Sequence, residues 1–377
     1  MATLTQASRQ WASRPDDQRF TSLVEMLSYK DYLKSRSKRS ALANRDIEVR
    51  PIGGTDRWDV EAIVKGREDK PVQISHWAFG QMASLASVPA SYLRDGLPAQ
   101  LVSANLDWGL HHRRPVEDLS VYFQSYPEDC GFHEPGLFMA AANGPKYGML
   151  WDADVLHEVH DNFGDGRTGA WTVPGEFGKA VEVTKANTTL YASDHDMWLF
   201  LADETRRLTV HNRRDGNPGS LARGFYISNS EVGASRFVLG MFLFDYVCQN
   251  RMIWGAEQFR EISFKHTSGA PHRWVEEVQP ILREFAEASP KGIEETIAAA
   301  QSRKLDSDLD AFLTKHFGSD NMTSKIKLAF AADEGLRPME TLWDVVTGAT
   351  AYARSLQYAD ARVGIERTAG RLLAMAA

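Results

Sequence analysis

Between residues 119 and 267 the chain repeats one pattern: short runs rich in β-branched and aromatic residues, each closed by a turn signal. These runs read as strands at 119–125, 137–142, 168–173, 188–193, 196–202, 206–211, 223–229, 235–247 and 261–267. The breaks between them include Asn162-Phe-Gly-Asp-Gly166 and Asp215-Gly-Asn-Pro-Gly219, whose Gly, Asn and Pro favour tight turns. Consecutive strands with such short connections pair antiparallel, because a parallel crossover needs a dozen or more residues. The pattern therefore argues against a doubly wound sheet. The expected class is α+β, with a β-rich, mainly antiparallel core and one short helix, Ala153 to Val159, inside it.

The flanks read differently. Ile47, Val49, Val60, Ala62 and Val64 alternate as a hairpin does, with Gly53-Gly54 near its turn. Phe79, Met82, Leu85 and Ala86 fall at helical spacing, and the stretch 75–105 reads as helical. Beyond residue 272 the apolar faces keep helical spacing, first through Trp274, Val278, Ile281, Leu282 and Phe285, with Ser289-Pro290 as a cap and first turn. Before residue 46, Leu23, Met26 and Leu27 suggest a helix, followed by a mobile connection. The resulting division is a basic, partly helical N-terminal segment (1–45), an α+β core domain (46–272) and a helical C-terminal subdomain (273–377). No heptad or internal repeat is present.

At 377 residues the chain exceeds the size at which one core usually stops growing, which fits a core with an appendage. No apolar run approaches the roughly 20 residues of a membrane span, and no signal-peptide core opens the chain, so the reading is cytoplasmic and without a membrane. Cys130 and Cys248 form no CxxC pair and no zinc spacing, which suits reduced, packed thiols. Walker A and GxGxxG motifs are missing from the sequence, so ATP hydrolysis and dinucleotide binding have no support. The net charge of −7 argues against coating nucleic acid by bulk attraction, but a local basic stripe is compatible with it.

Two acidic groups could hold a divalent ion. In Asp152, Asp154, His157, Glu158, His160 and Asp161 the spacing is not HExxH, and a solvated helix face with a few charge pairs gives the same residues. Ser193-Asp-His-Asp196, with Asp203-Glu204 downstream, could bind magnesium, although a tight Asp-rich turn between strands is the favoured reading. Ser230 lies in no nucleophile elbow, and no catalytic residue is assigned. Three basic patches remain. They are residues 30–45 (Lys30, Lys34, Arg36, Lys38, Arg39, Arg45), His111-His-Arg-Arg114, and a hairpin-like unit with Arg206, Arg207, Arg213, Arg214 and Arg223 followed by Tyr226. Such groups bind phosphates, and aromatics beside them can stack unpaired bases.

Several stretches resemble a family catalogued as domain of unknown function 932, the phage/plasmid-like proteins. They are Ser193-Asp-His-Asp196, Asn229-Ser-Glu-Val-Gly233, Cys248-Gln-Asn250 with Ile253-Trp-Gly255, Lys265-His-Thr267, Thr341-Leu-Trp-Asp344, Thr350-Ala-Tyr352 and Arg362 with Glu366. The ordered succession covers roughly residues 75–370. Asn229–Gly233 also has a local explanation, since Asn and Gly suit a tight turn and Glu231 can bond backbone donors. The resemblance implies single-stranded DNA binding or annealing, and together with the basic patches the leading reading is a non-enzymatic, homo-oligomeric protein that engages single-stranded DNA in recombination or replication. The expected contacts are Arg206, Arg207, Arg213, Arg214, Arg223 and Tyr226, with no cofactor. One alternative is a magnesium-dependent nuclease using Asp194, Asp196, Asp203 and Glu231. Another is a protein-interaction module acting on host factors through the helical third.

Overall fold

The N-terminal elements among the described residues follow directly from local chemistry. A two-residue strand, β1 (Arg19–Phe20), leads into the helix Leu23–Ser35, where the Ser22 hydroxyl accepts from Glu25 N and the Glu25 carboxylate reaches back to Thr21 N at 2.7 Å. That reciprocal pair satisfies one open amide of the first helical turn and the amide just before the cap. The computed structural model describes residues 15–53, 59–128, 135–173, 182–210, 219–245, 251–254, 261–288, 291–305, 308–335, 337–356 and 359–376, and the statements below concern these.

Two sheets follow, both mainly antiparallel, as the short connections imply. The N-terminal sheet contains β2 (Ser37–Ala43), β3 (Ile47–Pro51), β4 (Val60–Val64), β5 (Val72–Ile74), β6 (Asp118–Tyr126) and β7 (Gly136–Asn143), in the order β2-β6-β7-β5-β4-β3. Only β5 and β7 run parallel, and the helices between them supply the long crossover that a parallel pair needs. One face buries Val49, Ala62, Val121 and Met139 against Phe79, Met82, Val102 and Leu106 of the helices His76–Leu85 and Ala99–Trp108.

The larger sheet joins β1 to β8 (Trp171–Thr172), β9 (Leu190–Ala192), β10 (Met197–Val210), β11 (Gly219–Asn229), β12 (Phe237–Asp245), β13 (Arg251–Trp254) and β14 (Ile262–Phe264). Leu199, Leu201, Phe225 and Ile227 on one face pack against the helices Leu23–Ser35, Asp152–Phe163 and Gln279–Glu287. The C-terminal helices close over another part of the sheet through Leu208, Leu221 and Leu243. Among the described residues no strand follows β14, only a single bridge between Lys304 and Thr341, so the last third is helical as its periodicity requires. No helix of the described residues is long and apolar enough to cross a membrane.

Two local expectations change. The stretches 196–202 and 206–211 are one strand, β10, whose pairing with β11 shifts register between Asp203 and Leu208. The polar residues of that irregularity look like a turn in sequence. The connection expected to be mobile after the first helix is β2, paired with β6 from Ser37↔Gln124 to Ala43↔Asp118. As an edge strand β2 buries little, so it carries no hydrophobic alternation to betray it.

Candidate functional site

Asn229–Gly233 leaves β11 as a tight turn. Gly233 has φ +85°, and a Cβ there would lie 3.0 Å from the Tyr147 ring, so glycine answers both constraints. The turn residues are bonded to several distant parts of the chain. Asn229 Nδ2 donates to Leu150 O at 3.0 Å and Asp152 Oδ1 at 2.7 Å, and the Ser230 hydroxyl donates to His195 O at 2.6 Å. Gln81 Nε2 donates to Val232 O at 2.6 Å, and the Tyr147 hydroxyl donates to Ser230 O at 2.9 Å. Next to Tyr147, Gly148 N donates to His266 O at 3.0 Å, and a Cβ on Gly148 would fall 1.9 Å from Thr267 O. The stretches around Ser193, Asn229 and Lys265, far apart in sequence, thus meet at one junction between the two sheets.

At its centre is a buried polar triad. Asp152 opens the helix Asp152–Phe163, and its N–H donates to Glu231 Oε1 at 2.9 Å, so that carboxylate caps the positive helix end. Lys30 Nζ lies 2.7 Å from Asp152 Oδ2 and 3.9 Å from Glu231 Oε2. Two carboxylates therefore share one ammonium away from water. Burial, then repulsion from Asp152, pushes Glu231 up to about 7, against the opposing pull of Lys30, the Asp152 amide and the Tyr122 hydroxyl. Burial alone would depress Lys30, but Asp152 and Glu231 more than offset it and hold the ammonium above its ordinary range. Burial, followed by the charge of Glu231, also raises the hydroxyls of Tyr122 and Tyr147. His266 is lowered by burial, and its Nε2 has no hydrogen-bond partner among the described residues; the same holds for Asn229 Oδ1. The Glu231 carboxyl can thus gain or lose one proton near neutrality in a desolvated setting.

Beside the junction opens a cleft of about 240 Å³. Gln124 and Tyr126 of β6 and Phe138 and Ala140 of β7 line it, with Ser75, His76 and Asp194 completing its wall. A directed chain of hydrogen bonds links cleft and triad. The Tyr126 hydroxyl donates to Gln124 Oε1 at 2.6 Å, Gln124 Nε2 donates to the Tyr122 oxygen at 2.6 Å, and the Tyr122 hydroxyl donates to Glu231 Oε2 at a long 3.4 Å. Each bond polarises the next, so the charge state of Glu231 is felt at the lining of the cleft. Near Asp194, the His195 ring stacks on Trp77 with centroids 5.8 Å apart. Ser193 Oγ and Asp194 Oδ1 both approach His195 Nδ1, at 3.2 and 2.6 Å. A nucleophilic relay needs the two on opposite ring nitrogens, so this is not a catalytic triad.

The four carboxylates of the nuclease alternative fall into three settings, with Asp194 and Asp196 both beside His195. Asp194 bonds His195, and Asp196 accepts from Ser193 Oγ at 2.6 Å within the turn joining β9 and β10. Asp203 pairs with Arg223 and Arg206, while Glu231 belongs to the Lys30 triad. Among the described residues no three His, Cys, Asp or Glu side chains gather as a metal ion would require. The acidic helix is likewise spent on pairs, Asp154 with Lys34, His157 with Asp31 and Glu158 with Arg283.

Of the six expected nucleic-acid contacts, Arg206 and Arg207 are exposed, whereas Arg213 and Arg214 lie outside the described residues, as do Cys130 and Cys248. Arg223 is buried. It pairs with Asp203 at 3.2 Å, donates to Ala288 O at 2.6 Å and sits 5.0 Å over the Trp171 ring, so its donors are consumed inside the protein. Tyr226 is also buried, its hydroxyl donating to Glu261 Oε2 at 2.9 Å. Sequence reasoning placed Lys30 in a basic patch and named none of Tyr122, Gln124 and Tyr126 as site residues. Their one visible signal was polar alternation in β6, where Ser120, Tyr122, Gln124 and Tyr126 share a face opposite Leu119, Val121 and Phe123.

Residues 186–369 match the family model described as Domain of unknown function (DUF932). This stretch of the chain belongs to that family. No curated protein and no solved structure matches the chain. The DUF932 region contributes Asp194, Asn229, Glu231 and His266 to the junction, whereas Lys30, Tyr122, Gln124, Tyr147 and Asp152 precede it in the chain. The buried triad therefore bonds the DUF932 region to the part of the chain before it.

Proposed function

We propose that this protein binds single-stranded DNA, with the strand's phosphates running along β2. The observation that carries this reading is the cluster of Arg36, Lys38 and Arg39, all exposed, at the free edge of the N-terminal sheet beside the exposed ring of Tyr32. The Arg36 guanidinium lies 5.0 Å over that ring. Arg39 is steadied by Ser120 Oγ at 2.7 Å and by the Tyr147 carbonyl, so little side-chain freedom remains to be lost on binding. Exposed cations along one strand, from both of its faces, attract phosphates even where net charge is negative, because the attraction is screened within about 10 Å at 0.1 M salt. An aromatic ring beside such cations can stack an unpaired base, which a duplex does not offer. The exposed Arg206 and Arg207 of β10 are a second, separate pair of phosphate-binding groups.

Fluorescence anisotropy with a labelled single-stranded oligonucleotide and its duplex, at low salt, with and without magnesium, tests the reading. The single strand should bind more tightly than the duplex and without a need for magnesium. Absence of binding to either would overturn the reading, and magnesium-dependent cutting of the probe would replace it with the nuclease alternative.

A further inference from the structure

We propose that the cleft beside β2 takes one base of the bound strand, held by Gln124 and Asp194 against the rings of Tyr126 and Phe138; this rests on the nucleic-acid reading above. Position is the first argument. Gln124 stands opposite Ser37 in the β2–β6 register, and Ser37 lies between Arg36 and Lys38, so the lining of the cleft begins one strand in from the basic edge.

Size and chemistry agree with this. At about 240 Å³ the cleft is smaller than the roughly 300–1,000 Å³ of pockets for drug-sized ligands, which suits a single ring system. Tyr126 and Phe138 stand edge to face, with centroids 5.5 Å apart and planes at 72°, so a flat guest can lie on one ring and abut the other. The Gln124 amide spends one N–H on Tyr122 and one lone pair on Tyr126. Among the described residues its second N–H and second lone pair have no other partner, leaving the side-by-side donor and acceptor with which a primary amide reads a base edge. Asp194 adds a carboxylate, which favours an exocyclic amino group and repels phosphate. Adenine, cytosine and guanine should therefore enter in preference to thymine.

Isothermal titration of the full chain with free nucleosides tests the cleft without any phosphate contact. Adenosine, cytidine or guanosine should bind at one site per chain, and thymidine at least about tenfold more weakly. Asp194→Asn replaces an exposed carboxylate and should fold; it should cost the amino-bearing nucleosides about tenfold or more, as should Ala140→Leu, which fills the cleft. If the parent binds oligonucleotide but no nucleoside, or if both variants bind nucleosides as the parent does, the cleft proposal fails while the nucleic-acid reading stands. If nucleosides bind as described but oligonucleotides do not, the cleft is a nucleoside site and the strand-binding reading fails.

Discussion

Lys30 Nζ sits 2.7 Å from Asp152 Oδ2, with both side chains almost wholly shielded from water. Breaking such a pair from one side leaves a buried charge uncompensated, which costs about 3–5 kcal/mol. Lys30→Met should therefore lower stability by that order, seen in urea unfolding at neutral pH. Adding Asp152→Asn removes the stranded charge and should recover a large part of the loss. A double variant no more stable than Lys30→Met alone would mean that the cost of the first change is packing, not charge.

Glu231 makes stability depend on pH in a defined direction. In the unfolded chain its carboxyl releases a proton near 4.5, whereas the folded protein holds it to about 7. Between these values the folded state carries the extra proton, so stability falls as pH rises through the window, by roughly 3 kcal/mol at most. Histidines titrate in the same range, so the comparison with Glu231→Gln isolates the carboxyl. The variant should show a flatter profile between about pH 4.5 and 7, measured by thermal melting. An unchanged slope would remove Glu231 as its source.

Arg223 and Arg206 share Asp203 yet should behave differently. Arg223 is directly opposite Asp203 across the β10–β11 pair and fully enclosed, while Arg206 reaches the same carboxylate from the surface at 3.3 Å. Arg223→Ala should cost about 3–5 kcal/mol. Arg206→Ala should cost no more than about 1 kcal/mol. Equal losses in chemical denaturation would contradict the burial described here.

These cases show where sequence was informative. The antiparallel strands and the helical final third were legible because each obeys one period over many residues, as in Val121 and Phe123 or Trp274, Val278 and Phe285. The turn at Asn229–Gly233 was legible because Gly233 requires positive φ. β2 was not, since an edge strand exposing Lys38 and Arg39 has the composition of a loop. Nor was the triad, because Lys30, Asp152 and Glu231 look like surface charges until the fold brings them together. Arg223 looks like its exposed neighbours for the same reason.

The measurement that bears most directly on the central claim is the salt dependence of single-stranded DNA binding, in the parent and in a variant with Arg36→Ala, Lys38→Ala and Arg39→Ala. Each phosphate contact on a single strand contributes about 0.7 to the slope of log affinity against log salt. Three lost contacts should reduce the slope by about 2 and weaken binding at low salt, with a thermal melt to check that losing the Arg39 bonds to Ser120 and Tyr147 leaves the variant folded. A variant that folds, binds as tightly as the parent and keeps the same slope would contradict the claim that β2 carries the phosphates.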